Sequence, residues 1–168
     1  GVEDRRRDSV VLIQFDRPVK LAEVKAHVQA SARPIDGPTA ERTTIPVSVR
    51  PATKKEVMDA FYSDTVSYPR QFYAIKAAAL WPAGSEVEVS VTPGLRSEAG
   101  PPPLDTPWSM SFKAYRTQAI DTLTCEPDKP CGLEPIRLTL RNPVTAKQVE
   151  KIRVSPRPYG LDVGLWDR

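Results

Sequence analysis

The stretch whose reading decides the fold is LWPAGSEVEVSVTPGLRSEAGPPPLDTPWSMSFKAY, residues 80–115. Pro82 presets the backbone for a turn that Gly84 closes. Beyond the turn, Val87, Val89 and Val91 fall on one face of a strand while Glu86, Glu88 and Ser90 take the other. Pro93-Gly94 interrupts the run, and a loop carrying Pro101, Pro102 and Pro103 must travel extended, because consecutive prolines favour polyproline II. A second alternating strand sets Trp108, Met110 and Phe112 against Ser109, Ser111 and Lys113. Two half-buried strands joined by a proline-stiffened loop predict the edge of an antiparallel β-sandwich, which is a scaffold pattern with no chemistry evident in it.

Outward from this stretch, the composition agrees. Eighteen prolines against eight glycines in 168 residues suit many short strands better than long helices. Val11, Ile13 and Phe15 predict a first strand, ended by Asp16-Arg17-Pro18. Leu21 to Val24 reads as one helical turn, and Ala26 to Ala30, including His27, as a weak strand. Ile45 to Val49 alternates again, with Pro46 arguing for an edge position. One helix is expected over Thr53 to Ser63, since Thr53 and Glu56 have the spacing of a capping box and Val57 and Phe61 share a face. Phe72 to Ala77 gives a further strand.

After Tyr115 the pattern starts again. Val11, Ile13, Phe15, Pro18, Val19 and Val24 find counterparts at one offset in Ile136, Leu138, Leu140, Pro143, Val144 and Val149. A strand, a turn and a following strand therefore read as a repeated supersecondary unit. The expected organisation is a first domain over 1–117 and the start of a second over 118–168.

Charge and motifs narrow the chemistry. The net charge is +3 with charges interspersed, whereas nucleic-acid binding asks for a clustered basic face with interleaved aromatics. Arg5-Arg6-Arg7, flanked by Asp4 and Asp8, is the tightest basic run and reads as a solvated, flexible end. No apolar run reaches the length of a membrane span. The sequence opens at Gly1 without a visible signal peptide, so it reads as a mature form or a piece of a longer chain. Cys125 and Cys131, in TCEPDKPC, predict a short-loop disulfide worth roughly 2 kcal/mol, with free thiols as the alternative. A disulfide favours an oxidising compartment, and zinc would need more ligands than this pair provides.

No cofactor or metal motif is present: there is no Walker loop, no G-x-G-x-x-G, no H-E-x-x-H and no EF-hand spacing. His27 is the single histidine, and no G-x-S-x-G elbow supplies it with a serine. Asp59 and Asp64, or Glu86 and Glu88, are the carboxylate pairs a hydrolase would use, but Glu86 and Glu88 share the outer face of a strand, where solvated charge is ordinary. No catalytic residue is assigned. Tyr62, Tyr68, Phe72 and Tyr73 crowd the helix and read either as an aromatic recognition surface or as its small satellite core.

Several of these pieces together resemble the bacterial alpha-2-macroglobulin family, envelope proteins that trap proteases. VVLIQFDRPVKLAEVKAHV (10–28) is similar to the first strand and turn of that family's Ig-like modules. The progression Trp81-Pro82, Gly84, alternating valines and Pro93-Gly94-Leu95 resembles their later strands, and a cysteine pair before a strand ending in Asn142-Pro143-Val144 resembles the passage into the next module. The resemblance implies an Ig-like β-sandwich with an inserted helix, then a second Ig-like module. It also implies an extracytoplasmic setting in the periplasm or cell envelope, with neighbouring domains of a longer parent as partners and proteases as the parent's targets. The family's reactive Cys-Gly-Glu-Gln does not occur, since Cys131-Gly132 continues as Leu133-Glu134. A rival expectation is an adhesin or S-layer module binding glycan or protein through the aromatic cluster.

Overall fold

A computed structural model of the chain describes residues 3–36, 41–61, 71–100, 102–124 and 136–153. The fold is all-β, with three short helices among the strands of the described residues. It divides into two compact units, Gly1–Tyr115 and Arg116–Arg168.

In the first unit, the valine alternation of residues 85–91 becomes the centre of a five-stranded sheet. Strand β7 (Ser85–Val91) lies between β3 (Val28–Pro34) and β8 (Trp108–Ala114), antiparallel to both. The register stacks Ala32, Val87 and Phe112 in one row and Ala30, Val89 and Met110 in the next. All but Met110, which is partly buried, are enclosed on the core side. Two-residue strands finish the sheet: β4 (Thr43–Thr44) beside β3, and β1 (Asp4–Arg5) parallel to the end of β8.

Opposite lies a three-stranded antiparallel sheet of β2 (Val11–Gln14), β6 (Phe72–Ala77) and β5 (Val47–Pro51), with β6 in the middle. Val11, Ile13, Val49, Tyr73, Ile75 and Ala77 join the valines of the larger sheet in one continuous core. At about 25 cal/mol per Å² of apolar surface removed from water, this shared layer is the main stabilising term. Trp81 closes one end of it, edge-on to Phe112 with ring centroids 5.4 Å apart, and its Nε1 donates to Ser9 O (2.9 Å).

Two sequence expectations are corrected. Helix α1 runs from Leu21 to His27, and the strand begins at Val28, so His27 ends a helix instead of sitting in a strand. The helix persists past one turn because the buried Val24 anchors it and its carbonyl accepts the Val28 N–H. Arg5-Arg6-Arg7 is not a loose end: Arg5 lies in β1 with its guanidinium carbon 5.8 Å from the Phe112 ring centre, Arg6 chelates Asp8, and Arg7 Nε donates to Trp81 O (2.9 Å). Trp108 shares a face of β8 with Met110 and Phe112, as expected, and stands 41% exposed at the end of its row while Phe112 is fully enclosed. Helix α2 spans Lys54–Phe61, its start fixed by the Thr53–Glu56 capping box. Ser63 lies outside the described residues.

The second unit contains β9 (Ile120–Thr124) antiparallel to β10 (Arg137–Leu140), then α3 (Ala146–Val149). Its start has a complete capping box, Thr145 with Gln148. Strand, turn and short helix follow in the same order as β2, Asp16–Lys20 and α1. Leu21 and Ala146, equivalent at the repeat offset, each open their helix, and Val24 and Val149 are its buried residue.

Candidate functional site

His27 sits where α1 meets the start of the β7–β8 loop. Its Nδ1 is 3.0 Å from Thr92 Oγ1, and Nε2 is 3.8 Å from Glu23 Oε2 one helical turn back. Threonine, histidine and glutamate in this order look like a nucleophile, base and orienting acid. The same groups are also tied to the backbone around them. The Thr92 hydroxyl has two partners in reach, the ring Nδ1 at 3.0 Å and His27 O at 3.3 Å. Glu23 Oε2 also accepts the Arg96 N–H (3.3 Å), and Thr92 N–H donates to His27 O (2.9 Å). Gly94 completes the close fit: its φ is +97°, and a Cβ there would stand 3.3 Å from His27 Cε1. The constellation fastens the proline-rich loop to α1.

Glu86 and Glu88 lie on the outer face of β7, as their alternation requires. The β3–β7 register sets Arg33 opposite Glu86, and its Nε and Nη2 reach Glu86 Oε2 at 3.0 and 2.7 Å. Arg42 Nη2 bridges Glu86 Oε1 and Glu88 Oε2, at 3.2 Å each. The Arg33 hydrogen bonds, helped by the charges of Arg33 and Arg42, hold the Glu86 carboxyl below the ordinary carboxylate range. A carboxylate so stabilised is a poor proton donor at neutral pH.

The third group surrounds α2. Glu56 receives Arg50 in a fork, Nη1 to Oε2 at 2.9 Å and Nη2 to Oε1 at 2.5 Å, and Oε2 also accepts the Thr53 N–H (2.9 Å). The Arg50 hydrogen bond and, after it, the bonds from Thr53 lower its carboxyl to about 2, against the opposing effect of burial. Glu56, Asp59 and Ala60 of α2 border a cleft of about 250 Å³ whose other wall is Val10 and Leu12. That is below the ~300–1,000 Å³ of small-molecule sites, so it suits one side chain better than a cofactor. Asp64, the other carboxylate considered with Asp59, lies outside the described residues.

The aromatic cluster does not assemble as a recognition surface from its described members. Phe72 is 8% and Tyr73 2% exposed. Tyr73 belongs to the main core, packs edge-on against Phe15 and donates its hydroxyl to Val19 O. Phe72 and Ala74, on the opposite face of β6, are buried too, as is Val57 of α2, so this sheet is covered on both faces. Tyr62 and Tyr68 lie outside the described residues, as do Cys125 and Cys131. Among the described residues, no three His, Cys, Asp or Glu side chains converge as a metal site, and no helix is long and apolar enough to cross a membrane.

Sequence reading missed Arg50–Glu56, Arg33–Glu86 and His27–Thr92. The first carried a faint signal, a basic residue shortly before a capping box. The other two depend on strand register and loop path. No family model, no curated protein and no solved structure matches the chain.

Proposed function

We propose that this chain supplies non-catalytic framework modules of a bacterial alpha-2-macroglobulin-like, protease-trapping protein of the cell envelope. In this reading the first unit is an Ig-like sandwich with α2 inserted, and the second begins another module of the same kind. The observation that carries it is the recurrence of strand, turn and short helix after a unit in which His27, Thr92, Glu56 and Glu86 each tie one element to another. The family resemblance adds the setting and the role: neighbouring domains of a longer parent as partners, and proteases as the parent's targets. The rival adhesin reading loses Phe72 and Tyr73, the described half of its aromatic surface, to the interior.

The test uses the full-length parent, a protease, and one bulky and one small chromogenic substrate. Trapping leaves the small substrate cleaved and protects the bulky one. Unchanged cleavage of both, with no complex on a native gel, refutes the assignment.

A further inference from the structure

β2 is an edge strand, and its open edge is chemically unprotected. Phe15 N–H donates to Gln71 O (2.8 Å), which sets the phase of the ladder: Val11 and Ile13 direct their backbone groups at β6, and Leu12 and Gln14 direct theirs outward. Among the described residues nothing pairs with those outward groups. Natural edges are blunted by charge, proline or brevity. β1 and β4 have two residues each, and Pro46 and Pro51 bracket the exposed edge at β5. VVLIQF, residues 10–15, has none of these protections and is the composition that pairs with other strands when left bare.

The second unit shows that edge in use. Leu12, Gln14 and Asp16 correspond to Arg137, Thr139 and Arg141 at the repeat offset. Arg141 N–H donates to Ala119 O (3.0 Å), so this is the edge along which β9 pairs with β10. The same position in the repeated element therefore accepts an antiparallel strand.

The cleft states the chemistry of the occupant. Alternate residues of a strand added to β2 would project toward α2, where the floor is Val10, Leu12 and Ala60 and the charged lining residues described are Glu56 and Asp59. Glu56 is committed to Arg50. Asp59 meets Lys55 at 2.7 Å, but both are largely exposed (64% and 83%), so water competes with that pair and an incoming cation can share the carboxylate. An apolar floor under a carboxylate fits the aliphatic stem and charged head of lysine or arginine.

We propose that the β2 edge and the β2–α2 cleft form a docking site for an extended, lysine- or arginine-bearing segment of a partner protein, which adds to the sheet as an antiparallel strand beside β2. The proposal stands independently of the framework role. Its test is fluorescence anisotropy on the intact chain with two labelled peptides, TKVKVKT and TEVEVET. The lysine peptide is expected to bind about tenfold or more tighter than the glutamate peptide, and to protect the Leu12 and Gln14 amides from hydrogen exchange. Asp59→Lys, on an exposed helix face, should weaken it about tenfold. Gln14→Pro should do the same, because proline there deletes only an unpaired donor. Ser111→Pro, on the other incompletely paired edge at β8, should change nothing. Equal affinity for both peptides, full binding by Asp59→Lys, unprotected Leu12 and Gln14 amides, or loss of binding in Ser111→Pro would each overturn the proposal. So would a chain that sediments as a dimer with those amides already protected.

Discussion

Replacing Glu56 by glutamine tests how α2 is held on the sheet. The glutamine side chain would keep an oxygen for the Thr53 N–H, since either residue completes a capping box, but would lose the charge that faces Arg50. A carboxyl lowered from 4.5 to about 2 corresponds to at most about 3 kcal/mol of preferential stabilisation of the charged form in the folded chain. Arg50 is 49% exposed, so solvent screens part of this, leaving about 1–2 kcal/mol. Because the folded-state pKa is depressed, the contribution is complete above the unfolded value near 4.5 and disappears as pH falls toward 2. Urea unfolding followed through tryptophan emission, with Trp81 in the core as the reporter of this unit, measures both proteins across that range. Glu56→Gln should be less stable by about 1–2 kcal/mol at pH 7, with the gap closing between pH 4.5 and 2. Other carboxylates titrate in both proteins and cancel in the difference. A gap that stays constant down to pH 2.5, or no gap at pH 7, would refute the assignment of the lowered pKa to the Arg50 fork.

Three further substitutions address the core and the loop. Tyr73→Phe keeps the ring packing and strands the buried Val19 carbonyl, so denaturant titration should show a loss of about 1–3 kcal/mol. Ser9 Oγ is buried with no hydrogen-bond partner; Ser9→Ala should leave the melting temperature unchanged or raise it, by up to about 1 kcal/mol in stability. Gly94→Ala forces a side chain onto a positive φ beside the His27 ring and should cost about 1–3 kcal/mol. Restoring the parent's stability by adding His27→Ala to Gly94→Ala would show that the crowding outweighs the backbone term.

The legible parts of the fold were those in which one residue's position dictates its neighbour's environment. Val87, Val89 and Val91 alternate because one face of β7 is dry, and all three are buried. Thr53 and Glu56 lie within one helical turn, so their bond follows from spacing alone. Phe72-Tyr73 stayed open between a surface and a core reading for the opposite reason. A strand covered on both faces shows no alternation, and two buried aromatics on opposite faces look in sequence like one sticky patch. The end of α1 was obscured because Val24 and Val28, four apart, suit a helix face as well as two separate elements. Arg33 and Glu86 are 53 positions apart, and only the β3–β7 register brings them together.

The polar contacts of the first unit converge on one mechanical result. The β7–β8 loop is held to α1 and to the turn before it at successive points: Thr92 on His27, Arg96 on Glu23, Ser97 paired with Val19, and Glu98 N–H on Pro18 O. Leu95 is buried, and Leu104 folds back so that Gly94 N–H reaches its carbonyl (2.8 Å) while its own N–H reaches Leu95 O (2.8 Å). Prolines restrict the loop's unfolded alternatives, so each fastening costs less entropy than in an ordinary loop of this length. A loop built to close over a substrate needs the reverse, few contacts and low local stability. His27 and Thr92 are among the groups that tie this loop to α1.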